Sequence, residues 1–121
     1  EGGGAGMGVL SVSDDETVIL WRAGESGDLE PVSRLDASVH KRSIYTVDWS
    51  PDGMIATGCG DNAIRILRET KPGSIEMELE VLQAHGGDVN TVTWNPSRRG
   101  LLASCGDDEM IHLWQYDLIE G

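Results

Sequence analysis

Three residues in the C-terminal third of the chain, His85, Ser104 and Asp108, have the side-chain types of a nucleophilic catalytic triad. In such a triad a histidine takes the proton of the serine hydroxyl, and a carboxylate orients the histidine. A similar set lies earlier in the chain and consists of His40, Thr57 and Asp61. Because these types recur at matching places, and because Trp114 is expected to cap the serine, the pattern favours internal polar support over catalysis.

The residues that could bind a transition metal are the histidines and the two cysteines, Cys59 and Cys105. There is no Cys-x2-Cys pair, and the cysteines occupy equivalent places in consecutive repeats, too far apart for one ion. His112 stands on a strand beside Trp114, and we expect it to be a packed or surface side chain. The sequence therefore predicts no metal and no cofactor, and two reduced, buried thiols of the kind found in cytosolic or nuclear proteins.

The chain repeats itself with a period in the mid-forties. The matching stretches are 40–49 with 85–94, 59–61 with 105–107, and, two periods apart, 15–21 with 108–114. The first pair reads His-x8-Trp in both copies, and the second reads Cys-Gly-Asp. Repeats of this length are typical of WD40 β-propeller blades, and the chain resembles that family in its spacings although the Trp-Asp dipeptide is absent. We therefore expect an all-β fold made of propeller blades.

Strand and turn signals divide each repeat. Residues 44–49 are rich in β-branched and aromatic types, and the Ser-Pro-Asp-Gly that follows at 50–53 reverses the chain. Residues 75–82 alternate strictly between apolar side chains and mostly glutamates, which predicts an outer strand with one face in apolar packing. The predicted strands are 8–13, 17–22 and 31–36 in the first repeat, 44–49, 54–59, 63–68 and 75–82 in the second, and 89–94, 101–105 and 110–115 in the third.

These strands predict about two and a half blades, with strands named a to d from the hub outwards. Residues 1–8 are expected to be a flexible leader, 9–38 a partial blade with strands b, c and d, 39–83 a complete blade, 84–117 a final blade without strand d, and 118–121 a tail. Closed propellers need about four to eight blades. We interpret the chain as the C-terminal part of a seven-bladed ring, completed in cis or in trans, with further copies of the chain as one source.

The resemblance to WD40 proteins also implies a buried chain of polar side chains in each blade. A tryptophan on strand c donates to a hydroxyl on strand b, which contacts a histidine before strand a, which contacts an aspartate in the b–c turn. The third repeat supplies His85, Ser104, Trp114 and either Asp108 or Asp107. The second supplies His40, Thr57 and Asp61 with Leu67 in place of the tryptophan, and the first supplies Ser13 or Ser11, Asp15 and Trp21 without a histidine.

The chain is strongly acidic, with 21 acidic and 9 basic residues and a formal charge of −12. Such a surplus disfavours binding to nucleic acid and to anionic membranes, because their phosphates attract basic surfaces. We interpret it chiefly as a determinant of solubility. No apolar run is long enough to span a bilayer, and the first residues lack the basic start and apolar core of a signal peptide.

A closer resemblance concerns the WD-repeat proteins of cytosolic iron–sulfur cluster assembly. Segments 42–49 and 55–65 resemble their penultimate blade, and 83–90, 94–96, 100–108 and 113–116 resemble their final blade and closing segment. The resemblance covers about residues 9–117. It implies a non-enzymatic, cytoplasmic adaptor, present in the nucleus as well, which has no cofactor and docks a small cluster-carrier protein, a large helical-repeat partner and client apoproteins.

One face of a WD40 disc carries the loops that enter strand a together with the b–c turns. On this face we expect a partner-binding surface formed by Arg42, Ser43, Tyr45, Asp88, Asn90 and Asp14. Tyrosine and arginine are over-represented among binding hot spots. Two alternatives stay open from the residues alone: a WD40 scaffold of another pathway, such as a signalling or chromatin adaptor, and a hydrolytic or metal-dependent enzyme.

Overall fold

The computed structural model describes residues 8–36 and 39–117 of the chain, and these residues form β-strands joined by turns. The strands are β1 (Gly8–Val12), β2 (Val18–Ala23), β3 (Leu29–Leu35), β4 (Ile44–Trp49), β5 (Met54–Cys59), β6 (Ile64–Lys71), β7 (Ser74–Val81), β8 (Val89–Trp94), β9 (Leu101–Gly106) and β10 (Ile111–Gln115). Within the two described ranges there is no helix, and hence none long and apolar enough to cross a membrane.

The strands build three antiparallel sheets in which neighbours in sequence pair with each other. The first sheet contains β1 to β3, the second β4 to β7, and the third β8 to β10. Tight turns make this order possible, as at Gly53, which has a φ of 94° and donates its N–H to the Ser50 carbonyl. Glycine adopts this left-handed conformation without a steric penalty. The all-β fold of blade-like sheets expected from the repeats is confirmed.

Several strand ends differ from the sequence-based expectation. β6 continues to Lys71, because a bulge between Glu69 and Lys71 lets the chain stay paired with β7 through the segment predicted as a loop. β3 begins at Leu29, two residues before its predicted start. Gly8, expected to end a flexible leader, belongs to β1, while the rest of the leader and the tail at 118–121 lie outside the described residues.

The second sheet lies between the other two and is buried on both faces. Alternate residues of β5 face opposite ways, so Ile55 enters the core shared with the first sheet, while Met54 and Ala56 enter the core shared with the third. Every residue of β5 is buried. Leu67, which stands where a tryptophan was expected, packs in the first of these cores.

The outer strand β7 matches its predicted alternation only in part. Ile75 is buried, but Met77 is 42% exposed and Leu79 is 38% exposed. Met77 pairs with Leu67 and so lies on the face of β7 toward the first sheet, while Leu79 pairs with Ile66 and lies toward the third sheet, which has no strand beyond β10 among the described residues. Leu79 instead lines a cleft of about 80 Å³ between the second and third sheets, opposite Trp114 and Tyr116.

Candidate functional site

The third sheet joins its four predicted polar residues into one chain of hydrogen bonds. The Trp114 indole N–H donates to Ser104 Oγ at 2.9 Å, and Ser104 Oγ lies 2.8 Å from His85 Nε2. His85 Nδ1 lies 2.9 Å from Asp108 Oδ1. The sequence left Asp107 open as the carboxylate, but Asp107 accepts from the Asn90 side chain instead.

The partners of His85 define the direction of these hydrogen bonds. An ionised carboxylate can only accept, so Nδ1 of His85 carries the proton and Nε2 accepts from the Ser104 hydroxyl. The backbone N–H groups of Gly86 and Met110 also donate to Asp108. The hydrogen bond from Gly86 is the main cause that lowers the pKa of Asp108 to about 2, and the bond from His85 adds to it. The Ser104 hydroxyl is 2% exposed and capped by Trp114, a geometry that supports the structural role over the nucleophilic one.

The second sheet separates the histidine from the aspartate. His40 Nε2 lies 2.8 Å from Thr57 Oγ1, but its Nδ1 is buried without a partner. Asp61 pairs instead with Arg65, whose Nη2 lies 2.6 Å and whose Nη1 lies 3.2 Å from the two carboxylate oxygens. The Nε of Arg65 also bonds Glu80 at 2.9 Å. A buried guanidinium has thus replaced the histidine as the partner of the turn aspartate.

The presence of Arg65 lowers the pKa values of both Asp61 and His40. Burial raises the pKa of Asp61, but the hydrogen bonds and charge of Arg65 outweigh it and bring the pKa down to about 2. Burial, with the added repulsion of Arg65, lowers the pKa of His40 to about 4, against the opposing charges of Asp61 and Glu80. His40 is therefore a neutral, enclosed side chain at physiological pH.

The first sheet contains a shorter arrangement. The Trp21 indole N–H donates to Ser11 Oγ at 2.9 Å, which makes Ser11 and not Ser13 the hydroxyl partner of the tryptophan. Ser13 donates within the β1–β2 turn to Asp15, which also accepts from the Thr17 hydroxyl at 2.6 Å. Hydrogen bonds from Ser13 and then Thr17 lower the pKa of Asp15. The aspartate here holds its own turn and no histidine.

The residues predicted for partner binding lie at one end of the three sheets, on loops and at the starts of β4 and β8. Ser43 donates a long hydrogen bond of 3.5 Å to the Asp14 carbonyl, which links the second sheet to the first. Tyr45 is 48% exposed on β4, and Arg42 and Asn90 are exposed as well. We call this set, with the addition of Asp107, the Tyr45 surface: Asp14, Arg42, Ser43, Tyr45, Asp88, Asn90 and Asp107.

Carboxylates from different sheets converge on the Tyr45 hydroxyl. The charge of Asp88 is the main cause that raises the pKa of Tyr45, and Asp14 and Asp107 raise it further. Arg42 is the single cation of the Tyr45 surface, against three aspartates. The surface therefore presents an aromatic side chain in a negative field, an arrangement that suits a basic partner segment.

The two cysteines differ in their surroundings. Cys59 is fully buried and its thiol donates to the Arg42 carbonyl at 3.1 Å. Burial raises the pKa of this thiol, which keeps it protonated and unreactive. Cys105 is only partly buried, although both cysteines were expected to be enclosed. The reason is that the second sheet is covered on both faces, whereas the third sheet is covered on one.

Sequence reasoning missed one residue that shapes these networks, Arg65, and it left Ser11 as an alternative to Ser13. The signal for Arg65 is an arginine in the apolar run Ile64–Leu67, four residues after the turn aspartate Asp61. A charged residue in a buried strand requires a partner of opposite charge. That requirement predicts an acidic partner for Arg65, and Asp61 is one candidate.

Comparison with known proteins identifies the family. The family model "WD domain, G-beta repeat" matches residues 30–67 and 77–115. The probable cytosolic iron-sulfur protein assembly protein Ciao1 of Aedes aegypti is 38% identical over 130 residues, which cover 94% of this chain and 39% of that protein. The corresponding protein CIAO1 of Bos taurus is 48% identical over 89 residues, covering 68% of this chain and 26% of its own length.

A solved structure adds support for the fold. A chain in the crystal structure of a mitotic checkpoint complex matches 90% of this chain with a TM-score of 0.71 at 20% identity, and the match covers 32% of that chain. At this identity the likeness concerns the fold alone. The present chain spans 39% and 26% of the two relatives named above. Because the repeat model matches more than half of its residues, the chain belongs to the WD40-repeat family.

Proposed function

We propose that this chain is part of a non-catalytic WD40 scaffold that acts in the assembly of cytosolic iron–sulfur proteins. The observation that carries the proposal is its similarity, over up to 94% of its residues, to proteins named for that process. The whole protein would then work in the cytosol, with the nucleus as a further location. Its proposed partners are a small cluster-carrier protein, a helical-repeat adaptor and client apoproteins.

The polar networks support a scaffold because they fix loops instead of exposing reactive groups. In the third sheet Asp108 holds the backbone of Gly86 and Met110, and so ties the loop before β8 to the β9–β10 turn. In the second sheet Asp61 accepts from the backbone of Lys41 and Ala63 in the same way. Loops held at both ends present their outer side chains in a fixed arrangement, which lowers the entropic cost of binding.

The Tyr45 surface is the proposed docking site. Its residues come from the same end of all three sheets, so a partner placed there would contact the array as a unit. Tyr45 offers a large, rigid contact area, and the aspartates around it favour a partner segment that carries lysine or arginine.

The experiment compares affinity purification with the tagged parent chain and with the double variant Tyr45→Ala, Asp88→Lys, which removes the aromatic side chain and reverses one of the charges that favour a basic partner. Since Tyr45 is half exposed and Asp88 is partly exposed, we expect the variant to fold while it loses at least tenfold of the recovered iron–sulfur assembly proteins. The control is Arg98→Glu, a charge reversal in the β8–β9 loop at the opposite end of the sheets. Partners and protein recovery are measured by quantitative mass spectrometry of cytosolic extracts.

Two results would contradict parts of this proposal. Recovery of partners from signalling or chromatin complexes without iron–sulfur assembly proteins would assign the scaffold to another pathway. Equal recovery by the parent chain and the double variant, with loss in Arg98→Glu, would move the docking site to the opposite face.

A further inference from the structure

We propose that His85, Asp108 and His112 form a binding site for one borderline divalent transition-metal ion of the Zn²⁺ type. Imidazole nitrogens and a carboxylate oxygen from these residues all lie within 4.8 Å of one another. Two histidines and one carboxylate are a ligand set that suits zinc with a fourth, open position for water. The proposal does not depend on the function proposed above.

The register of the third sheet explains why His112 reaches the network. His112 on β10 lies directly across from Ser104 on β9, and side chains two residues apart on a strand share a face, so His112 and Trp114 face the same way. The His112 ring packs on the His85 ring with centroids 4.6 Å apart and on the Trp114 ring at 5.7 Å. Among the described residues no hydrogen-bond partner occupies its nitrogens, so they are available to a ligand.

The second sheet supplies an independent sign that a cation belongs at this position. In the second sheet the hydroxyl of the polar network belongs to Thr57, and Arg65 lies directly across from it. In the third sheet His112 occupies the same position, directly across from Ser104. The Arg65 guanidinium binds both carboxylate oxygens of the turn aspartate Asp61. In the third sheet the equivalent aspartate, Asp108, faces a histidine that carries no fixed charge. A metal ion held by His112 and Asp108 would supply to the third sheet the positive charge that Arg65 supplies to the second sheet.

The polar chain can accept a metal without the loss of a proton. When the ion binds Nδ1 of His85, the proton on that atom moves to Nε2, which then donates to Ser104 Oγ. The Ser104 hydroxyl rotates its hydrogen away and accepts from both His85 and Trp114. The carboxylate of Asp108 binds the ion with an oxygen and keeps its bonds from the backbone N–H groups of Gly86 and Met110, which orient it as hydrogen bonds commonly orient metal ligands.

The experiment titrates the purified, chelator-treated chain with Co²⁺, a spectroscopic substitute for zinc, and follows its visible absorption at neutral pH. We expect tetrahedral absorption bands that saturate at one equivalent and disappear when Zn²⁺ is added. His112→Phe retains a ring against His85 and Trp114 but has no ligand atom, and should weaken Co²⁺ binding more than about tenfold. Asp88→Asn removes a nearby surface carboxylate and should leave the titration unchanged.

NMR spectroscopy of the parent chain tests the same site without the His112→Phe variant, which could fold poorly. In the parent chain, Zn²⁺ should shift the NMR ring signals of His85 and His112, while the buried His40 in the second sheet keeps its signals. Absence of the cobalt bands, or shifts at His40 as large as those at His112, would overturn the site. Equal binding by His112→Phe or weakening by Asp88→Asn would overturn it as well and assign the ion to the acidic surface in general.

Discussion

Replacement of Arg65 tests whether a buried guanidinium holds the second sheet together. The side chain is 1% exposed and makes three charged hydrogen bonds, two to Asp61 and one to Glu80. Arg65→Met keeps much of the apolar stem and removes the charge. The carboxylate of Asp61, 13% exposed, then stays in the sheet without its cation.

We expect Arg65→Met to cause a large loss of stability because Arg65 is buried and paired. The pKa of Asp61 lies near 2, against an ordinary value of 3.8, which corresponds to about 2.5 kcal/mol of net favourable interaction in the folded chain. Removal of one partner of a buried ion pair costs about 3–5 kcal/mol, because the other charge remains desolvated. We therefore expect Arg65→Met to lower the free energy of unfolding by about 3 kcal/mol or more.

The matched control lies three residues further along the same strand. Arg68 pairs with Glu78, but these side chains are 25% and 34% exposed, so Arg68→Met should cost no more than about 1 kcal/mol. Urea unfolding monitored by tryptophan fluorescence gives both values. The double variant Asp61→Asn, Arg65→Met should recover part of the loss, since it removes the buried unpaired carboxylate and leaves only Glu80, which is 31% exposed, without its cation. Equal effects of Arg65→Met and Arg68→Met would refute the reasoning.

Two further predictions concern acid stability and sheet packing. The pKa of His40 is about 4 in the folded chain, and its ordinary value is 6.5. The contribution of His40 to the free energy of unfolding is therefore complete above about pH 6.5 and falls by about 3 kcal/mol as the pH drops to 4. Urea unfolding at several pH values should show a weaker dependence of this free energy on pH for His40→Gln. In Gly58→Ala the new Cβ would lie 2.6 Å from Thr46 Cγ2 and 2.7 Å from Val89 Cγ1, where the second and third sheets meet, and thermal unfolding should report a loss of about 1–3 kcal/mol. Gly86→Ala, whose Cβ meets nothing closer than 3.6 Å, should change little, and a similar melting temperature for both alanine variants would contradict close packing at Gly58.

The sequence predicts the strands well because two local signals coincide in it. Runs of β-branched residues mark β4 and β8, and turn residues such as the segment 50–53 separate them from their partners. The repeat then assigns the strands to blades, since a hairpin alone does not tell which sheet it joins. Strand ends were less predictable, because the bulge in β6 that extends the pairing to Lys71 depends on contacts with β7 and not on local preference.

The site was predictable where all its members are of the expected types, and less so elsewhere. The resemblance to WD40 repeats implies the network around His85, because each position there holds a residue of the type that the family uses. In the second sheet the same resemblance implies a contact between His40 and Asp61, whereas the structure pairs Asp61 with Arg65. Only the register, which sets Arg65 directly across from Thr57, brings the guanidinium to the aspartate, and register is a property of the paired sheet.

The position across from the network hydroxyl separates the second sheet from the third in how the turn aspartate is held. Arg65 occupies it in the second sheet and binds its aspartate directly, so this sheet can replace the tryptophan with Leu67 and lose no anchor. In the third sheet His112 occupies it, and the aspartate relies on His85 and the backbone. The second sheet thus departs from the repeat pattern and is still the sheet buried on both faces, and it carries Tyr45 at the centre of the proposed docking surface.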